Sequence, residues 1–145
     1  MATLKQSEVR QRAATALSAA GFRESVFSYG EFGNEPNSLG DEVFVVGITQ
    51  TGLVKQRHRT SSPGLVINTE LTVKISEKLK PKAKVSSYDA GLDSLQAAWV
   101  AVMGMSRADI NLQIGAIRAP EILRPSREWV SYSFTVVVQH LVALS

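Results

Sequence analysis

Leu4, Val9, Ala13, Ala16, Leu17 and Ala20 recur at the spacing that lines one face of a helix. Thr3 and Gln6 stand at the spacing of a capping box, and Gly21 followed by Phe22 supplies a glycine stop with a trailing apolar contact. The pattern predicts an amphipathic helix over residues 4–20, alanine-rich on its buried face. The period then shortens to two. A short strand is expected over Ser25–Tyr29 and a strong one over Glu42–Thr51 (EVFVVGITQT), in which Gly47 marks a bulge or a close backbone approach. From Val66 to Ser76, Ile67, Thr69, Leu71, Val73 and Ile75 alternate with Asn68, Glu70, Thr72 and Lys74, the signature of a half-buried antiparallel strand. Helical spacing returns over residues 89–103, where Leu92, Leu95, Trp99, Val102 and Met103 form an apolar stripe, with Ser87 or Asp89 as cap and Gly104 near the end. Ile110, Leu112, Ile114 and Ala116 alternate again, and Ala119-Pro120 to Pro125-Ser126 reads as a turn region. The closing strand, Glu128–Val142, has Val130, Tyr132, Phe134, Val136 and Val138 on one face and Trp129, Ser131, Ser133 and Thr135 on the other. A terminal strand of that length is expected inside a sheet.

The element order is therefore α-β-β-α-β-β, with room for one extra short strand. Two helices that each need one cover, and a sheet with one apolar face, imply an α+β two-layer sandwich: a mainly antiparallel sheet of four or five strands and two helices. Residues 1–145 read as one domain, without internal repeat or low-complexity linker. Three segments stand outside the periodic pattern. The first, 30–41, is dense in Gly, Asn, Pro and Ser and is either an ordered functional loop or a mobile one. The second, 52–64, is polar and basic, either a loose loop or the tip of a long hairpin whose arms extend the flanking strands. The third, Glu77–Val85, is a lysine-rich linker with Pro81 at its middle.

Composition narrows the chemistry. The 145 residues are 44% hydrophobic, enough for a core, and contain no cysteine, which excludes disulfides, thiolate nucleophiles and cysteine metal clusters. The longest apolar run, Phe134–Leu144, is interrupted by Thr135, Gln139 and His140 and falls short of the roughly 20 residues a membrane span requires. The N-terminus lacks the apolar core of a signal peptide, so synthesis in the cytoplasm is expected. The net charge of +3 conceals an asymmetry. Residues 21–52 hold one basic and five acidic side chains (Glu24, Glu31, Glu35, Asp41, Glu42), whereas residues 53–84 hold eight basic and two acidic ones. Such a division suits copies that meet head to tail, and equally suits solvated loops kept charged for solubility.

No segment carries a phosphate-binding glycine loop or a G-x-S-x-G elbow, and the carboxylates fall mostly in loops and at helix starts, so an enzyme is not expected. Lys78, Lys80, Lys82 and Lys84 would share one side of an extended backbone and, with Lys55, Arg57 and Arg59, could contact phosphates. No aromatic residue is interleaved to stack on bases and no nucleic-acid-binding motif is present, so a solvated or partner-facing run is favoured over specific readout. His58, among cations in a polar segment, reads as a surface residue, and His140 as a hydrogen-bonded sheet residue. Trp99 belongs to the helical stripe. Trp129, opposite Val130 and Tyr132, is either a subunit contact or part of a second packing layer.

The helix ending Ala20-Gly21-Phe22, the strand Val43-Phe-Val-Val-Gly-Ile, the alternating strand Thr69-Glu-Leu-Thr-Val-Lys-Ile, the Trp99 helix and the long strand Trp129–Leu141 together resemble the tail terminator proteins of long-tailed bacteriophages. The resemblance spans most of the chain as element order and length. It departs from the smaller lambda-like terminators in the longer basic segment 52–64 and the lysine-rich linker. It implies a structural virion protein, without catalytic residues or cofactor. Such a protein forms a homohexameric ring on the head-proximal end of the tail tube, stops tube growth and offers the surface to which the head-tail connector joins. The implied partners are further copies of the chain, the tail tube protein and the connector protein, with the lysine-rich linker either against a neighbour or near transiting DNA. Under that resemblance the interface residues are expected in the 30–41 loop and its flank (Glu31, Glu35, Asp41, Glu42), in the 52–64 segment (Lys55, Arg57, Arg59), in the lysine run (Lys78, Lys80, Lys82, Lys84) and at Trp129. Another neck component, a head-closure or tail-completion protein, is the alternative of the same kind, and a basic nucleic-acid-binding module the alternative of a different kind.

Overall fold

A computed structural model describes residues 2–24, 43–57, 64–78, 84–108, 111–123 and 129–143. In chain order these form α1 (Gln6–Ala19), β1 (Arg23–Glu24), β2 (Val43–Arg57), β3 (Gly64–Lys78), α2 (Lys84–Met103), the one-turn α3 (Met105–Ala108), β4 (Gln113–Leu123) and β5 (Trp129–Ala143). The five strands make one sheet in the order β1-β2-β3-β5-β4, antiparallel throughout except for the short parallel pair β1–β2. The fold is α+β, as the periodicity implies. The closing strand β5 lies between β3 and β4, in the interior position its length called for. The expected strand at Ser25–Tyr29 and the 30–41 loop lie outside the described residues.

Both helices cover the same side of the sheet. Val9, Ala13 and Leu17 of α1 and Leu95, Ala98 and Val102 of α2 join Phe44, Val46, Leu71, Val73, Ile75, Phe134, Val136 and Val138 in one buried cluster. Each large side chain so buried is worth about 1.5–3 kcal/mol relative to exposure. The face of α1 differs from the expected stripe at its end. Ala14 is buried, whereas Ala16 is half-exposed and Ala20 exposed. On α2, Leu92 and Trp99 are half-buried, and Met103 is turned off the stripe, exposed at 40%.

The helix ends show where local signals operate. At the C-terminus of α1, Gly21 takes φ = 102°, the Phe22 N–H donates to the Leu17 carbonyl at 3.2 Å and the Gly21 N–H to the Ser18 carbonyl at 3.1 Å. This is the Schellman pattern, and the burial of both Phe22 and Leu17 supplies its apolar contact. At the N-terminus the expected box of Thr3 and Gln6 is displaced: the Lys5 N–H donates to the Glu8 carboxylate at 3.1 Å. The physical reason is a tertiary one. Thr3 forms a parallel bridge with Leu141, and the Leu4 N–H donates to the Leu141 carbonyl at 2.8 Å, which holds these residues extended until Lys5. Neither Ser87 nor Asp89 caps α2, because the helix already begins at Lys84. No glycine or proline between Lys84 and Ala90 stops it from growing back toward Pro81.

Two strands run well past their expected ends. β2 continues to Arg57, six residues beyond Thr51, and pairs with β3 as far as Arg57–Gly64. The segment 52–64 thus belongs largely to hairpin arms, the second of its two expected forms, with 58–63 outside the described residues. β4 continues through the expected turn at Ala119-Pro120 to Leu123. Pro120 is accommodated because β4 is an edge strand and the pairing skips a residue between Arg118 and Glu121, a bulge where no ladder donor is needed.

Candidate interaction surface

The sheet outgrows its helical cover. β3 and β5 remain paired from Lys78–Trp129 at one end to Gly64–Ala143 at the other, and β2 follows β3 to the same tip, so three strands form a common arm, in which Val66, Ile67, His140 and Leu141 are buried. Gly64 is required there: a Cβ at this position would overlap the Val142 carbonyl oxygen and press on the Leu141 side chain. β2 changes register twice, at Thr49 and at Val54, each time adding one residue against β3. These bulges increase local twist and re-aim the following side chains. Leu53 (67% exposed) and Val54 (44%) are solvent-facing apolar groups on the arm, and Ile48 (38%) lies where it leaves the body.

The arm is tied to the body by polar bonds. The Gln6 side-chain amide donates to the Thr51 hydroxyl and, at 3.3 Å, to the Thr69 hydroxyl. Thr69 Oγ1 lies 2.7 Å from His140 Nε2, and His140 Nδ1 lies 3.1 Å from the Leu4 carbonyl oxygen. A carbonyl can only accept, so Nδ1 carries a proton, and in the neutral imidazole Nε2 then accepts from the Thr69 hydroxyl. Burial lowers the His140 pKa from its ordinary 6.5, opposed by backbone hydrogen bonds at Leu4 and Leu141. His140 is thus the hydrogen-bonded sheet residue expected of it. On the opposite side of the sheet, hydroxyls form a row across three strands: Thr49 Oγ1 to Thr72 Oγ1 at 3.1 Å, and Thr72 Oγ1 to Thr135 Oγ1 at 3.3 Å. That side is not uniformly open, because Val43, Val45, Val66 and Leu141, which alternate toward it, are also buried.

A second apolar feature flanks the C-terminal half of α2. Between α1 and α2, Ala16, Ala19, Val100, Ala101 and Met105 line an open groove of about 580 Å³, and Val100 is 61% exposed. The indole nitrogen of Trp99 is buried without a hydrogen-bond partner, a cost offset by the ring's packing against the core.

The residues singled out from sequence are dispersed. Lys55 and Arg57 lie on the arm, at backbone positions paired with Val66 and Gly64. Lys78 ends β3 beside Trp129, the first residue of β5, at the opposite end of the sheet. Twelve residues of β3 separate the Lys55 and Lys78 positions, about 40 Å at 3.3 Å per residue. The basic residues of the arm and Lys78 therefore do not form one phosphate-facing patch. The lysine run also does not continue as one extended strand, because Lys84 is the first residue of α2. Glu31, Glu35, Asp41, Glu42, Arg59, Lys80 and Lys82 lie outside the described residues. Sequence reasoning passed over Leu53 and Val54, whose exposure follows from bulges no period reveals, and over Gln6 and Thr69, whose partners are 45 to 71 residues away.

Among the described residues no group of three or more His, Asp or Glu side chains is placed to hold a metal ion, and no helix is long and apolar enough to cross a membrane. A scan against protein-family models finds no match to this chain, and neither does a search of curated proteins.

Proposed function

We propose that this chain is a structural virion protein that assembles as a ring on the head-proximal end of a phage tail tube, ends tube polymerisation and presents the joining surface for the head connector. The observation that carries the proposal is the three-stranded arm on a body of order α-β-β-β-α-α-β-β, which, apart from the two-residue β1 and the one-turn α3, is the element order that prompted the resemblance to tail terminators. A sheet that leaves its helices behind and exposes Leu53 and Val54 offers contact area without weakening the core. A ring needs a heterologous contact that closes, and two dissimilar patches serve that geometry: the basic arm and the apolar groove beside α2. Function under this proposal is interface physics alone, with no reacting residue.

Gold-labelled antibody on purified virions and isolated tails tests the assignment. Label at the head-proximal tip of the tail is the expected result, and it also separates a terminator from a head-closure protein, which would remain with tail-less heads. Label elsewhere on the particle, or none, overturns the proposal.

A further inference from the structure

The arm and the groove beside α2 lie in opposite directions along one molecule. The Gln6 amide donates to the Thr51 hydroxyl, whereas Arg23, four residues past the end of α1, pairs with Val43, so α1 runs against β2. Ala16 therefore lies about 15 Å from Gln6 along the helix axis, away from the arm, while Leu53 lies two residues beyond Thr51, about 7 Å further out. β2 is laddered to β3 as far as Arg57 and cannot fold back over that distance. The groove of a chain is thus out of reach of its own Leu53 and Val54. Each feature nevertheless presents what the other lacks. Leu53 pairs with Ile67 and so stands on the helix-bearing side of the sheet, and the bulge at Val54 turns a second apolar side chain out next to it in the chain. The groove offers Ala16, Ala19, Ala101 and Gly104, whose small side chains permit close approach, against the exposed Val100.

Charge fixes the direction of the fit. On α2 the exposed residues Asp89, Asp93, Gln96, Ala97 and Val100 follow one another at helical spacing, so two carboxylates lie on the N-terminal side of an apolar stretch. Asp93 precedes Val100 by seven residues, about 10 Å along the axis. On β2, Arg57 follows Val54 by three residues, about 10 Å of strand. Apolar and charged groups thus recur at the same spacing on both surfaces, with charges of opposite sign. Arg12, which also lines the groove, is already engaged within the chain. We propose that Leu53 and Val54 of one copy seat in the groove between Ala16 and Val100 of the next, with Arg57 of the arm meeting Asp93 of α2. This contact names the interface of the proposed ring and rests on that reading. It is heterologous: each copy gives its arm and receives another's, and neither patch is left bare when the ring closes.

The chain contains no cysteine, so introduced thiols report the contact alone. Full-length chains carrying Val54→Cys and Val100→Cys, both at exposed positions, are mixed under mild oxidation, and the same pair is oxidised wherever antibody locates the chain in the particle. The mixed disulfide is expected to exceed either homodimer about tenfold, and a chain carrying both substitutions should give a ladder that ends at the closed ring. Adding Arg57→Asp to the Val54→Cys chain should lower the mixed product about tenfold, and Asp93→Arg in the other chain should restore it. A Val54→Cys homodimer as the main product, no mixed product in either setting, or a yield that Arg57→Asp leaves unchanged or Asp93→Arg does not restore would overturn the proposal. Label at the tail tip without the mixed disulfide removes this contact and leaves the assembly role. The mixed disulfide without label at the tip keeps a head-to-tail contact and removes that role.

Discussion

The two ends of β3 live in different surroundings. Leu71, Val73 and Ile75 are fully buried beneath α1 and α2 in the company of Phe44, Val46, Phe134 and Val136. Toward Gly64 the same strand passes into the arm, where its neighbour β2 exposes Thr51, Gly52, Leu53 and Val54 and the ties to the body are hydrogen bonds through Gln6, Thr69 and His140. The difference separates two tasks. Stability resides where apolar area is buried, which in the arm means Val66, Ile67 and Leu141 on β3 and β5, whereas the exposed β2 strand of the arm is free to carry side chains chosen for a partner.

Substitutions at the two ends should therefore diverge. The largest loss is expected for Leu71→Ala, about 2–5 kcal/mol in the free energy of unfolding by denaturant titration, since a cavity opens among side chains that cannot collapse into it. Gly64→Ala, at the arm tip, should cost about 1–3 kcal/mol, because the added methyl meets the Val142 carbonyl and Leu141; the loss should register in exchange of arm amides before those of the body. Gly21→Ala forces an L-residue to φ = 102° and should lower stability by about 1 kcal/mol, read as a shift of the thermal midpoint. Acidification adds a smaller effect of defined sign. His140 is harder to protonate folded than unfolded, so the unfolded chain takes up the extra proton first. The contribution is whole above pH 6.5 and is lost as the pH falls from there through the depressed folded value, which a series of denaturant titrations would resolve. Leu53→Ala should move the unfolding free energy by no more than about 0.5 kcal/mol. Under the proposed function it should nonetheless reduce the yield of finished tails, and that split between stability and assembly is the sharpest mark of the arm's role.

The body was readable from the chain because its elements obey local rules. The Gly21-Phe22 stop of α1, the alternation through Leu71, Val73 and Ile75, and the interior place of β5 all follow from periods of 3.6 and 2 and from one glycine. The arm was half readable, and the reason is specific. Thr49 and Val54 each insert one residue into β2, so the alternation breaks twice and the strand looks finished at Thr51. Gly115 and the Ala119-Pro120 pair do the same in β4. A bulge is defined against a partner strand, and a single-strand pattern holds no trace of that partner. The polar ties were unreadable for a related reason: Leu4 and His140 are 136 residues apart. Charge counting found the acidic and basic segments of the chain but could not show that β2 places Lys55 and β3 places Lys78 at opposite ends of the sheet.

The proposal that this chain ends a tail tube is tested most directly by tube length. Tail tube protein polymerised in the presence and absence of the purified chain can be compared by electron microscopy. The account predicts tubes that stop growing and carry a ring at one end when the chain is present, with Leu53→Ala and Lys55→Glu weakening the arrest. Tubes that grow as long with the chain as without it, and show no ring, would contradict it.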